Sequence, residues 1–281
     1  MKPRSVFPRA VPVCHMQVRP RSSSRPPLRR RRLDARWLMV VLLALGQTAA
    51  GCEEVSGLVV VTADDSMVPE ELRTAYRTDA ARLTLRGLIE RDDPALNEIE
   101  LPPGEVERYY AALIRVYNLR HRARDAVVET YTIHTSPRPS VHYLDLVLAP
   151  PSWAKAWRLG ERLTGDPAVD SLVVRYDLRV EFYYDGASFG HLVTVFSPRA
   201  INIAALAKRF GVIDGVRYAN SQQVIGDGND IVAERRVGLE LEYSVGYGDC
   251  LAGCIYRHWW MFQVNDDGSV LFRGSGGDPP P

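Results

Sequence analysis

The chain has 281 residues, 46% of them hydrophobic, which is enough apolar side chain for a packed core and excludes bulk disorder. Its net charge of +1 averages two unlike regions. Residues 1–51 hold Lys2 and ten arginines against Asp34 alone, which leaves 24 basic and 33 acidic residues in the remainder, an acidic body that excludes a nucleic-acid backbone as partner.

In chain order the first element is an export signal. Arg29 to Arg32 precede nine apolar residues, Trp37 to Leu45, and Ala49-Ala50-Gly51 follow. Basic, apolar and small-residue parts in that order predict a secretory signal over residues 1–51. The apolar run is about half the ~20 residues that a membrane-spanning helix needs. Ala49-Ala50-Gly51-Cys52 resembles the bacterial lipobox, which implies that Cys52 becomes the mature N-terminus and carries a lipid. Glu53 is not the aspartate that keeps lipoproteins at the inner membrane of Gram-negative bacteria. The expected location is the cell envelope, at the outer membrane where the host has one.

Residues 52–68 read as a tether. A mainly helical part is expected over 69–136. Pro69 suits a first turn and Glu70 and Glu71 suit a positive helix N-terminus, and Leu72, Tyr76, Ala80 and Leu83 follow at helical spacing. A second helix starts after Pro102-Pro103 and carries Val106, Tyr109, Tyr110, Leu113, Val116 and Tyr117 on one side. Asp125 to His134 fits helix or strand equally.

Beyond Pro137-Arg138-Pro139 the apolar spacing changes to two, and 137–281 reads as an α+β domain. Val141 to Leu148 is an expected strand. Ser152 is an expected N-cap for a helix with Trp153 and Trp157, which Thr164 to Pro167 stop. Val174, Tyr176, Leu178, Val180 and Phe182 alternate with charged residues and predict a strand. Asp185-Gly186 opens a turn and His191 to Phe196 returns. Asn202 caps a short helix that Gly211 ends. Leu239 to Tyr247, Tyr256 to Val264, and Val270 to Phe272 after the turn Asn265 to Gly268 are further strands. Helix plus antiparallel strands thus occurs twice, in 151–197 and 202–273, and two such units predict one sheet with helices on one face.

Few residues carry a chemical signal. Cys250 and Cys254, flanked by Gly248 and Gly253, predict a structural disulfide in an exported protein. A redox pair has two intervening residues ahead of a helix, whereas here three intervene and a strand follows. Asp249, Arg257, His258 and Trp259 beside it form the candidate functional cluster. Gly226 to Ile231 resembles a phosphatase motif of the haloacid-dehalogenase type. It is one residue short and lacks the upstream aspartate nucleophile, so that chemistry fails. Asp227, Asn229 and Asp230 offer three oxygen donors for Ca²⁺, but no Glu closes the loop and an Asx-rich turn accounts for them better. His134 and His142 flank a proline turn and could face each other, yet two histidines are too few for a metal centre. No cofactor is expected.

Tyr243-Ser244-Val245-Gly246-Tyr247-Gly248-Asp249-Cys250 followed by Gly253-Cys254-Ile255-Tyr256-Arg257-His258-Trp259-Trp260 resembles a C-terminal signature of uncharacterised exported bacterial proteins. The helical segments around Tyr76-Arg77-Thr78-Asp79-Ala80 and Tyr109-Tyr110 belong to the same resemblance. It implies export and no particular activity. Two function classes stay open. One is a lipid-anchored, non-enzymatic module that binds, inhibits or scaffolds an envelope protein or glycan. The other is a hydrolase of envelope polymers working with carboxylates. A shallow aromatic patch favours the first, and a perturbed carboxylate in a cleft the second.

Overall fold

The computed structural model describes residues 57–149, 153–187, 190–223, 228–251 and 253–281. The export segment, Cys52, Ser152 and Asp227 lie outside the described residues. The elements run β1 (Val59–Val60), α1 (Glu70–Glu90), a 3-10 turn (Pro94–Asn97), α2 (Pro103–Asn118), α3 (Arg122–Asp125) with a π-turn (Ala126–Thr130), β2 (Tyr143–Leu148), α4 (Ala154–Arg158), α5 (Pro167–Tyr176), β3 (Arg179–Ala187), β4 (Gly190–Phe196), α6 (Ile203–Phe210), β5 (Val216–Ser221), β6 (Asp230–Arg236), β7 (Gly238–Tyr247), β8 (Tyr256–Val264) and β9 (Ser269–Gly277). The class is α+β, as the spacing change predicts.

The strands form two antiparallel sheets, not one: β1-β9-β8-β7-β6 and β3-β4-β2-β5. The reason lies in β2, which pairs with β4 on one side and with β5 on the other. The segment 202–273 is therefore split. Its helix α6 and strand β5 complete the smaller sheet, and only β6 to β9 belong to the larger one. The expected repeat of two like units does not survive this division.

Each sheet buries one face under helices. Tyr76, Leu83, Tyr109, Leu113 and Val116 from α1 and α2 pack with Leu241, Tyr243, Trp260, Phe262 and Phe272 of the larger sheet. Trp153, Trp157, Val173, Ile203 and Phe210 from α4, α5 and α6 pack with Leu144, Leu146, Val193 and Val195 of the smaller sheet. Each fully buried side chain of this size contributes roughly 1.5–3 kcal/mol. Ala81, Leu85 and Leu88 on another side of α1 make a third cluster with Leu101 and Val141. Helix α1 is thus buried on two sides, which is why the single apolar stripe read from its sequence understates its burial.

Other expectations shift locally. The alternating run 174–182 is not one strand. Asp166 accepts from the amides of Ala168 and Val169 at 2.9 and 3.1 Å, so Asp166-Pro167 starts α5 instead of ending a helix. Val169, Val173 and Tyr176 face inward at helical spacing, and Asp177, at φ 50°, ends the helix before β3. Asp185 and Gly186 still belong to β3. Of the expected tether, Val59–Val60 forms β1, antiparallel to Val270 and Ser269. Asp125 to His134 begins as the helical turns α3 and Ala126–Thr130. No helix among the described residues is long and apolar enough to cross a membrane.

Candidate functional site

The register of the smaller sheet builds a surface on the face away from its helices. Leu144, Leu146, Val193 and Val195 point into the core, so by strand alternation Tyr143, Asp145, Val147, Leu192, Thr194 and Phe196 point outward. Two rows cross all four strands: Phe182, Thr194, Asp145, Asn220 and, beside it, Tyr184, Leu192, Val147, Tyr218. Phe182, Tyr184 and Tyr218 are each about half exposed. The Phe182 and Tyr184 rings lie nearly parallel, 6.5 Å apart at 18°. Thr194 Oγ1 donates to Asp145 at 2.7 Å, and the Asn220 amide donates to the Tyr218 hydroxyl at 2.8 Å. At about 4.8 Å per strand the platform from Tyr184 to Tyr218 spans roughly 14 Å. Phe182 and Asn220 on the edge strands flank Thr194 and Asp145 in one row, and the Tyr184 and Tyr218 rings flank Leu192 and Val147 in the other.

A cleft of about 540 Å³ lies beside the edge strand β3, with Trp157, Val180 and Tyr183 below and Arg158, Arg162 and Arg179 on its rim. Asp177 takes both Arg162 at 2.6 Å and Arg179 at 3.1 Å. Its described lining residues include the carboxylates Glu161, Asp177 and Glu181 but no histidine, serine, threonine or cysteine, so it holds no serine–histidine or cysteine–histidine pair.

The polar groups with the most elaborate geometry are elsewhere, along one side of α1. Asp79 is buried and accepts from His134 Nδ1 at 2.6 Å, Thr135 N at 2.9 Å and Thr135 Oγ1 at 2.6 Å. Arg82 Nη1 donates to Thr135 Oγ1 at 3.2 Å. One turn on, Arg86 Nη1 donates to Asp230 Oδ1 and to Ile231 O, both at 2.9 Å. Thr78 Oγ1 meets His142 Nε2 at 3.2 Å, and His142 Nδ1 donates to Ser197 O at 2.8 Å. Burial pushes the His142 imidazole below its usual range, which favours the neutral form with Nε2 as acceptor. Thr78 and His142 thus stand as hydroxyl and base. None of the four clefts described for this fold reaches either residue, and the set clamps the 134–142 loop to α1. His134 and His142 bond α1 instead of one another. Asp79 escapes a reading of spacing because its partners are more than fifty positions away in sequence.

The residues singled out in the sequence do not converge. Arg257 and Trp259 project from one face of β8, and His258 from the other, opposite Val245 of the core face. Arg257 Nη1 donates to Ser244 Oγ at 2.8 Å, while His258 Nδ1 donates to Asp278 O at 2.7 Å and its ring meets Trp260 at 4.5 Å. Asp249 accepts from Leu251 N at 3.3 Å in the loop. Cys250 and Cys254 are paired, their Cα atoms 3.9 Å apart. Gly246 makes room for the ring, since a Cβ there meets Cys254 Sγ at 2.5 Å. Asn229 donates to Tyr131 O at 3.2 Å, and Asp230 Oδ1 accepts from Arg86 and Ser136 N. Those contacts are structural, and the described residues contain no group of three metal-ligating side chains.

One carboxylate stands apart. Glu242 on β7 is held above the usual carboxylate range, chiefly by burial and then by Glu234, with Arg257 opposing. Strand pairing places it opposite Val232 and Met261, on the face that also bears Glu240. No protein-family model, curated protein or solved structure matches the chain.

Proposed function

We propose that the protein is a non-enzymatic binding module of the cell envelope, exported and held at the membrane by a lipid on Cys52, with the aromatic face of the smaller sheet as its contact surface. The observation that carries this reading is the pair of rows ending in Phe182, Tyr184 and Tyr218 around Asp145, Thr194 and Asn220. Exposed rings offer flat apolar area at low entropic cost. The C–H faces of sugar rings pack on such area while their hydroxyls donate to carboxylates and exchange hydrogen bonds with hydroxyl and amide groups, so an envelope glycan is the partner of choice. The Cys250–Cys254 pair fits the same reading as a structural disulfide that pins the turn between β7 and β8.

Co-sedimentation of the mature protein with isolated cell-wall glycan tests it. An anchoring ring is worth roughly 1–2 kcal/mol, so replacing Phe182, Tyr184 and Tyr218 by alanine should weaken retention at least about tenfold with little change in melting temperature. Retention equal to the parent protein refutes the surface.

A second reading, a carboxylate hydrolase, is favoured by Glu242 alone. Its carboxyl is held protonated to higher pH, chiefly by burial and then by the neighbouring Glu234, which is the pattern of a general acid set among other carboxyl groups. Glycan turnover abolished by Glu242→Gln would select this reading over simple binding.

A further inference from the structure

We infer that the β1 edge of the larger sheet is a membrane-contact surface, with Leu58, Val59 and Val60 seated among the headgroups of the bilayer that carries the Cys52 lipid. The inference rests on the lipid-anchor reading above and adds to it the orientation of the domain. Six peptide steps lead from Cys52 to Leu58, which at about 3.5 Å each is at most about 21 Å. The chain is fixed to the fold directly after that. Val59 and Val60 pair with Val270 and Ser269, and Val61 N donates to Gly268 O at 3.0 Å. The Asn118 amide then holds the carbonyls of Thr62 and Asp64 at 3.0 and 2.8 Å, so the following segment is tied to the end of α2. The edge therefore stays within about 21 Å of chain from the anchor.

The chemistry of that edge fits the lipid surface. Leu58, Val59 and Val60 are 63%, 49% and 75% exposed, while the next residue, Val61, is buried at 9%. Three consecutive apolar side chains open to water at the anchored end gain by entering the interfacial region. Attraction to anionic lipid is not the source, because the body is acidic and Asp64 lies exposed just beyond. The occupant is therefore the bilayer interface itself, met by apolar side chains.

The lipidated mature protein, residues 52–281, reconstituted in phosphatidylcholine vesicles with brominated acyl chains, tests this. A bimane label on Val60→Cys is compared with one on Val212→Cys, a residue 85% exposed beyond α6. Quenching at position 60 should exceed that at 212 by at least about twofold, and Leu58→Glu should remove the excess while melting temperature holds. Equal quenching on a protein whose mass shows the lipid on Cys52 overturns the inference and leaves the anchor reading standing. A mass without the lipid overturns both. Shielding of position 60 only in native membranes assigns the edge to a protein partner and overturns the inference as well.

Discussion

Replacing Asp79 by alanine should be as costly as truncating a buried apolar residue of α1. The carboxylate is buried and accepts three hydrogen bonds, from His134 Nδ1, Thr135 N and Thr135 Oγ1. Arg82 Nη1 is 4.0 Å away, so the cost is one of lost hydrogen bonds more than of a lost ion pair. A bond to a charged acceptor contributes about 1.5–3 kcal/mol, and a buried donor left unpaired costs about 1–3 kcal/mol. These terms overlap. The net is about 4 kcal/mol, within the range for removing one member of a buried charged set. At a urea slope of about 2 kcal/mol/M the midpoint falls by roughly 2 M. Asp79→Asn keeps the volume and one acceptor and should cost about half as much. The assay is equilibrium urea unfolding followed by tryptophan fluorescence, with His134→Ala and the double variant completing a thermodynamic cycle. A loss under about 1 kcal/mol for Asp79→Ala, or strict additivity with His134→Ala, refutes the clamp.

Glu242→Gln should stabilise the protein at neutral pH. Because the folded-state carboxyl is raised, mainly by burial, its contribution is fully present below the ordinary carboxylate range and is lost as pH rises through the raised value. The gain from glutamine should therefore vanish in acid; a gain independent of pH between 3 and 7 contradicts the raised carboxyl, and thermal melts at ~0.5-unit steps read it out. Replacing Cys250 and Cys254 together by serine should cost less than the ~3 kcal/mol expected for a 15-residue loop, because the ring is far shorter. The effect should be local: faster proteolysis at the turn between β7 and β8 with the global melt nearly unchanged. Two reactive thiols in the untreated native protein rule the disulfide out.

Local chemistry was readable in the sequence, and long-range pairing was not. The hairpins β7-β8 and β8-β9 follow from alternation and from the Asn265 to Gly268 turn, and both form. Asn202 caps α6 as its side chain permits, accepting from Ala205 N at 3.2 Å. The run 174–182 misleads because the last turn of a helix and the first residues of a strand fall by chance on alternate positions, and the break between them is a single left-handed residue, Asp177. Val59–Val60 is too short to show a period and is a strand only because β9 offers it an edge. The division into two sheets turns on β2 choosing β5 as its second neighbour, a choice between partners that no window of residues contains. For the same reason the aromatic platform is invisible in sequence: Tyr184 and Tyr218 become neighbours on one face only through β4 and β2.

The pairing of β1 with β9 also sets the order of events in time. The first strand of the fold waits for the last, and the apolar sides of α1 and α2 have no sheet to cover until β7, β8 and β9 have been made. Contacts of such long sequence separation close late, because the loop entropy is spent before any contact repays it. A nascent chain of this topology keeps the apolar sides of α1 and α2 uncovered until its C-terminus is free, while the smaller sheet, complete at Ser221, has its own core to close on. The delay leaves those helix sides open to aggregation in the interval, and preventing it falls to whatever escorts the chain.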